Sequence, residues 1–130
     1  MRELLFRGKH LMDGEWIFSD SVNFSRTKKY VDLYLGEPYW GWEPIFPNTV
    51  GQWIGLLDSK GNKIFDGDIV KRIVANENGL VVWDDKRCGF YIKPLSKIGR
   101  AMYDPYYKMN ANKLEIVGNI YDNPELLEGN

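Results

Sequence analysis

Cysteine and histidine are nearly absent from this chain of 130 residues, which contains one residue of each. A single cysteine cannot form a disulfide within the chain, and a structural zinc site usually needs four Cys or His ligands. A dyad of Cys88 and His10 is formally possible, but no catalytic signature surrounds either residue. The sequence therefore predicts no metal site, no cofactor and no catalytic residue.

An excess of charge of one sign and long apolar runs are also lacking. Seventeen Lys and Arg residues against eighteen Asp and Glu residues give a formal net charge of -1, so no global field draws the protein to nucleic acid or to an anionic membrane. No stretch approaches the roughly 18 to 20 apolar residues of a membrane helix. The start MRELLFRGKH carries no apolar run typical of a signal peptide. We expect a soluble protein in a reducing cytoplasm, with no membrane partner.

Aromatic residues, by contrast, are abundant, with five Trp, eight Tyr and six Phe. Aromatic and β-branched residues suit half-buried pleated sheets, and short apolar runs separated by turn signals are typical of small barrels and sandwiches. The sequence predicts an all-β fold in one domain. The predicted strands are residues 3–7, 15–18, 50–57, 69–74, 80–84, 89–93 and 114–121.

Turn chemistry gives three further expectations. Asp13-Gly14 predicts that the first two strands form a hairpin. Residues 36–48 contain three prolines and are expected to form an ordered, aromatic-rich loop. Asp122 or Asn123 can cap a short C-terminal helical turn with Pro124 in its first turn.

The stretch IFDGDIVKRI, residues 64–73, raises the question of a carboxylate site at Asp66 and Asp68. Metal binding needs more ligands than this segment supplies, and no EF-hand loop pattern is present. Gly67 tolerates conformations that other residues resist, and each Asp can accept hydrogen bonds from nearby backbone amides. The pattern favours a turn that starts a strand.

Three blocks of sequence carry a resemblance to a known family. They are RELLFRGK with DGEW, VGQWIGLLDSKGNKIFDGDIV, and EIVGNIYDNPELL, and they extend from Arg2 to Leu127. Together they resemble the YopX family of phage and prophage proteins. The segments GDIV, GLVVWDD and GFYI look like the core of SH3-like barrels.

The resemblance implies a phage or prophage origin, a bacterial host cell as the setting, and an SH3-like barrel. It provides no established catalytic residue to carry over. We expect a single YopX-like domain over residues 1–130, with an N-terminal hairpin and aromatic loop region at 1–48 and an SH3-like barrel core at 49–130. No family motif is recognised within residues 19–47, where function can vary.

An aromatic cluster is the first candidate for a binding site. Its members are Tyr39, Trp40, Trp42, Phe46 and Trp53. Exposed together, these rings would mark an interface with a protein partner, because Trp and Tyr are enriched at interfaces. The alternative is that they fold back as a lid over the barrel core.

A basic stretch at residues 86–113 is the second candidate. Seven basic residues against one acidic residue give it a net charge of +6, and tyrosines are interleaved with them. Positive charge with rings for base stacking is suited to single-stranded nucleic acid, although such a run is also typical of a solvated loop. The candidate residues are Lys93, Lys97, Arg100, Tyr103, Tyr106, Tyr107 and Lys108.

These observations favour a non-enzymatic interaction module that binds a protein partner or a second copy of the same chain. A nucleic-acid-binding accessory protein that uses residues 86–113 is the alternative. A small hydrolase or nuclease built on Asp66, Asp68 or Glu43 is the third hypothesis, and it has the least support because no nucleophile-base signature accompanies these carboxylates.

Overall fold

A computed structural model of the protein describes residues 3–95 and 110–128, and β-strands dominate them, as the sequence predicts. The strands of these ranges are β1 (Phe6–Lys9), β2 (Trp16–Ser19), β3 (Val22–Phe24), β4 (Val31–Leu35), β5 (Gly41–Ile45), β6 (Gly51–Leu57), β7 (Lys63–Phe65), β8 (Asp68–Arg72), β9 (Glu77–Asp84), β10 (Gly89–Pro94) and β11 (Leu114–Asn119). Short 3-10 turns lie at Pro47–Thr49, Ala111–Lys113 and Pro124–Glu128.

The chain divides into two compact units, Met1–Trp53 and Ile54–Asn130. The boundary falls inside β6. The division that the sequence predicts comes a few residues earlier, after residue 48.

In the first unit, β1 and β2 form the predicted N-terminal hairpin. The strands are antiparallel, with Lys9 opposite Trp16. In the connecting turn, the carboxylate of Asp13 accepts a hydrogen bond from the Glu15 N–H at 2.9 Å. Gly14 has a φ of +74°, which glycine adopts without steric cost. The hairpin prediction is confirmed.

Two sheets of the first unit share one core. β6 starts beside β1, with Gly51 opposite Arg7, while β3, β4 and β5 form a separate antiparallel sheet in that order. The core consists of Val31, Leu33 and Ile45, packed against Phe6, Ile17, Val22 and Val50. Because side chains alternate along a strand, each sheet also has an outer face that points away from this core.

The expectation of a loop over residues 36–48 is wrong, because β5 lies within it. Pro44 is tolerated in β5 because the strand uses its carbonyl oxygen, which accepts a hydrogen bond from the Leu11 N–H at 2.9 Å. Strands β3 and β4, at residues 22–24 and 31–35, were not predicted from the sequence.

The second unit contains an antiparallel sheet in the order β10-β9-β8-β11. Its core consists of Ile64, Val70, Val81, Ile92, Ala111 and Leu114. Each strand that the sequence predicts after residue 49 has a counterpart among β6, β8, β9, β10 and β11, whereas the three-residue β7 was not predicted. The SH3-like assignment of this unit stays a prediction.

The Asp-Gly-Asp segment is a turn between β7 and β8, as the sequence predicts. Asp68 is only 2% exposed, and its Oδ2 accepts a hydrogen bond from the Phe65 N–H at 2.7 Å. Gly67 has a φ of +92°, and a Cβ there would lie 3.2 Å from the ring of Tyr121. The buried carboxylate of Asp68 therefore stabilises the turn.

A second buried carboxylate joins the turn between β6 and β7 to β11. Oδ1 of Asp58 accepts backbone hydrogen bonds from Lys60 and Asn62, each at 2.9 Å, and Oδ2 accepts one from Ile116 at 3.0 Å. Burial acts to raise the pKa of Asp58. The hydrogen bonds to its carboxylate, led by that from Ile116, outweigh burial and hold the pKa below the ordinary value of 3.8.

The C-terminal segment follows the predicted pattern, except that β11 ends at Asn119 and a turn follows it. The 3-10 turn at Pro124–Glu128 begins with the predicted proline and has Glu125 in its first turn. Across residues 3–95 and 110–128, no helix combines the length and the apolar character needed to cross a membrane.

Candidate interaction surfaces

The hairpin formed by β4 and β5 carries aromatic side chains on its outer face. Leu33 and Ile45 are buried in the core, and the residues that alternate with them point the other way. The register places Tyr34 opposite Trp42. Their rings meet edge to face, with centroids 5.5 Å apart, and the two residues are 40% and 49% exposed.

The turn of this hairpin presents two further aromatic residues. The N–H groups of Tyr39 and Trp40 both donate to the carbonyl of Gly36 at 2.8 Å. Trp40 has a φ of +47°, a left-handed conformation that is unfavourable for a bulky residue. Tyr39 is 53% and Trp40 69% exposed. We call Tyr34, Tyr39, Trp40 and Trp42 the hairpin surface.

His10 is a buried residue that packs against the hairpin surface. The residue is 2% exposed, and its ring meets that of Tyr39 edge to face at 6.1 Å. Nε2 of His10 lies 3.0 Å from Oε1 of Glu43 in β5, and Nδ1 lies 3.6 Å from Oδ1 of Asp13. His10 thereby links the end of β1 to β5 and to the hairpin turn.

A second outer face belongs to β1, β2 and the start of β6. Gly8 lies on the inner side, where a Cβ would collide with Ile45, so its neighbours Arg7 and Lys9 point outward. Opposite them in β2 are Phe18 and Trp16. Cζ of Arg7 lies 4.5 Å and Nζ of Lys9 lies 5.4 Å from the centroid of the Trp16 ring, distances typical of cation–π contacts.

Trp53 belongs to this same face. Gly51 is opposite Arg7, and Trp53 is two residues further along β6, so its side chain points to the same side. The Trp53 N–H donates to the carbonyl of Leu5 at 2.8 Å, which places Trp53 beside the start of β1. We call Arg7, Lys9, Trp16, Phe18 and Trp53 the cationic face.

The structure therefore divides the predicted aromatic cluster. Tyr39, Trp40 and Trp42 lie together in the hairpin surface, and Phe46 follows β5 at 41% exposure. Trp53 lies on the cationic face and is half-buried. Tyr39, Trp40, Trp42 and Phe46 each expose more than a third of their surface, and the alternative of a lid over the barrel core stays a prediction.

Comparison with known proteins identifies the family of this chain. The family model described as YopX protein matches residues 5–128. The chain belongs to the YopX family. This YopX chain also resembles the crystal structure of protein EF1440 from Enterococcus faecalis, with a TM-score of 0.58 and 21% sequence identity over 96% of this chain and 98% of that chain. Likeness at this identity shows a shared fold. Among curated proteins, none matches the chain significantly.

The basic stretch of this YopX chain lies mostly outside the described residues. Lys93 is in β10 and exposed. The other predicted nucleic-acid contacts, Lys97, Arg100, Tyr103, Tyr106, Tyr107 and Lys108, fall between residues 96 and 109, which the structure does not describe. That alternative stays a prediction.

The remaining candidates for catalysis or metal binding, Cys88, Asp68 and Glu43, each contact another group of the protein. Cys88 is exposed in the turn between β9 and β10, where its Sγ donates to the Asp85 carbonyl at 3.6 Å. Asp68 stabilises a turn and Glu43 contacts His10. Within residues 3–95 and 110–128, no group of three or more His, Cys, Asp or Glu residues could hold a metal ion.

Sequence reasoning treated His10 only as half of a dyad and missed Arg7, Lys9, Trp16 and Phe18 as surface residues. The signal for the cationic face was the alternation in FRGK and WIFS, where a glycine and an isoleucine mark the inner side. For His10, the partner Glu43 is 33 residues away along the chain. No local pattern reveals such a contact.

Proposed function

We propose that this protein is a non-enzymatic interaction module, encoded by a phage or prophage and acting in the cytoplasm of the bacterial host. In this proposal it binds a protein partner through the hairpin surface. Four aromatic residues on one hairpin, with exposures of 40 to 69%, are the observation that supports it. Exposed Trp and Tyr residues that lie together are typical of protein interfaces.

The setting of His10 supports a non-enzymatic function. The imidazole is buried at 2% exposure, its Nε2 lies beside the carboxylate of Glu43, and its ring contacts that of Tyr39. An imidazole used in catalysis must reach the proton that it transfers. In this environment the ring is suited to fixing the position of Tyr39 in the turn between β4 and β5.

Membership of the YopX family supports the phage or prophage origin, and the core of the second unit is compatible with an SH3-like barrel. Small barrels host many functions, so the fold alone does not select the partner. A protein from the host or phage and a second copy of this chain are both compatible with the hairpin surface.

The experiment compares Trp42→Ala with Trp83→Ala. Trp83 is a matched control because it is 47% exposed and its ring meets Phe90 edge to face at 5.0 Å, much as Trp42 meets Tyr34. Tagged protein is used to capture partners from phage-infected cells after nuclease treatment, and light scattering measures self-association. We expect Trp42→Ala to lose a partner or a dimer that Trp83→Ala retains. Equal capture and an equal mass for both variants would contradict the proposal.

A further inference from the structure

The sheet of β3, β4 and β5 has an outer face that continues beyond the hairpin surface. The register places Tyr30 and Phe46 next to each other, one residue beyond a buried pair of the core, so both side chains point outward. Tyr30 is 71% and Phe46 is 41% exposed. This pair of rings lies four residues, or about 14 Å, along the strands from the pair of Tyr34 and Trp42. We call the following residues the outer sheet face: Tyr30, Asp32, Tyr34, Trp42, Pro44 and Phe46.

One end of the outer sheet face is basic. The turn between β3 and β4 contains Arg26, Lys28 and Lys29, all of them exposed, and no acidic residue. Its shape is fixed by hydrogen bonds: the Ser25 N–H donates to the Tyr30 carbonyl at 2.9 Å, and the Tyr30 N–H donates to the Ser25 hydroxyl at 3.1 Å. Among the residues that the structure describes, none forms an ion pair with these three cations. We call this turn the basic turn.

The opposite end of the outer sheet face is acidic. Asp20 comes just before β3, where the Ser21 carbonyl accepts a hydrogen bond from the Tyr34 N–H at 3.2 Å. Glu37 lies in the turn between β4 and β5. Both carboxylates are exposed, and neither segment contains Lys or Arg. The rings of Tyr34 and Trp42 therefore have carboxylates beside them, whereas the other pair of rings has cations beside it.

This separation of charge makes the face complementary to itself. A two-fold axis that lies in the interface, perpendicular to the strands, places the basic turn of one copy over the acidic end of the other, and this contact forms twice. The same rotation stacks the Tyr30 and Phe46 pair of one copy on the Tyr34 and Trp42 pair of the other. An axis parallel to the strands would place like charges together, which opposes association.

The charge pattern favours a second copy over nucleic acid as the occupant. A polyanion that lay along the face would pass from the basic turn to Asp32 and Glu37. Residues 20–46 contain three basic and four acidic residues, so the segment has no excess of positive charge to attract phosphates. A second copy presents both charges in the order that the face requires.

We propose that the outer sheet face binds a second copy of this chain in a two-fold dimer, with the basic turn of each copy over the acidic end of the other. This inference rests on the proposed function, and it identifies the protein partner as a second copy. Asp32 lies in the middle of the face, opposite Pro44, so the rotation brings it near Asp32 of the second copy. Asp32 therefore weakens the dimer and limits its affinity.

The test exchanges charges between two variants and measures the dimer by light scattering and sedimentation equilibrium. One variant carries Lys28→Glu and Lys29→Glu, and the other carries Asp20→Lys and Glu37→Lys. Each alone should dimerise at least about tenfold more weakly than the wild type, because like charges then face each other. An equimolar mixture should form a dimer of one copy of each, because both contacts are then attractive.

Two single substitutions sharpen this test. Asp32→Asn should tighten the dimer at least about tenfold, because it removes the like charges at the centre. A basic partner protein in place of a second copy would instead bind Asp32→Asn more weakly. Lys93→Glu, at an exposed position in β10, is the control for charge reversal and should dimerise like the wild type. Circular dichroism should show each variant folded.

The outcomes separate this inference from the proposed function. A wild-type protein that is monomeric at about 1 mM, or a mixture that dimerises no better than its separate variants, would overturn the inference. If Trp42→Ala then still lost a captured protein that Trp83→Ala retains, the proposed function would stand with a different partner. If neither capture nor dimerisation differed between Trp42→Ala and Trp83→Ala, both would be overturned.

Discussion

The hairpin surface and the cationic face both expose aromatic rings on the outer side of a sheet, but their charges differ. The outward residues of β4 and β5 are Asp32, Tyr34, Trp42 and Pro44, so a carboxylate accompanies the rings. On the cationic face, Arg7 and Lys9 lie against Trp16 instead. Both surfaces are built over the same core of Val31, Leu33 and Ile45.

This difference shows that aromatic content alone does not determine what a surface binds. Rings without cations are suited to a protein partner, whose apolar side chains they cover. The ring of Trp16 is instead covered by Arg7 and Lys9 of the same chain. In both cases, strand alternation determines which charge lies beside which ring.

A substitution in the shared core is the test of this comparison with the largest expected effect. Leu33 is fully buried, and Leu33→Ala should lower the free energy of unfolding by about 2 to 5 kcal/mol. Both surfaces should lose their structure together as the fraction of folded protein falls, as measured by urea unfolding, and dimerisation should fall with it. If dimerisation were lost while the free energy of unfolding stayed unchanged, Leu33 would act on the hairpin surface and not through the core.

Replacing Asp58 tests whether binding at the hairpin surface is independent of the stability of the second unit. Asp58→Asn replaces a carboxylate that accepts three backbone hydrogen bonds, and it should lower the free energy of unfolding by about 1.5 to 3 kcal/mol. At neutral pH, partner binding and dimerisation of the folded variant should equal those of the wild type. Asp84→Asn, at the end of β9, changes a carboxylate that accepts one such bond, from the Lys86 N–H, and it is the milder control.

The pH dependence of stability should also differ in Asp58→Asn. Because folding lowers the pKa of Asp58 below its ordinary 3.8, its contribution to stability is present above that value and is lost as pH falls through the folded-state pKa. The variant cannot lose this contribution. Urea unfolding at pH 7 and pH 3 should therefore show a smaller acid-induced loss for the variant. Equal losses would contradict the assigned role of Asp58.

The sequence predicted the second unit better than the first, for a physical reason. Its turn at DGD uses local chemistry, the hydrogen bond from the Phe65 N–H to Asp68 three residues away. In the first unit, Pro38 and Pro44 suggested a loop, whereas the pairing of β4 with β5 makes residues 41–45 a strand. Tertiary pairing overrode the local signal there.

The candidate surfaces were predicted only in part for the same reason. Proximity in sequence correctly grouped Tyr39, Trp40 and Trp42, which share one hairpin. It wrongly added Trp53, whose position depends on the pairing of Gly51 with Arg7, a contact between distant segments. A local pattern can show which residues alternate, but it cannot show which strands become neighbours.

Trp40 provides the test with the smallest expected effect on stability. Glycine adopts a φ of +47° without the penalty of about 1 to 2 kcal/mol that a bulky residue incurs, but it adds entropy to the unfolded chain. Trp40→Gly should therefore change the free energy of unfolding by less than about 1 kcal/mol. Binding of the protein partner should fall by at least about 30-fold, the loss expected for a tryptophan hot spot.

Trp83→Ala is the matched control, because Trp83 is 47% exposed but belongs to neither surface. If Trp40→Gly and Trp83→Ala bind the partner equally well, exposure at the turn does not contribute to recognition, and the hairpin surface is reduced to the pair of Tyr34 and Trp42.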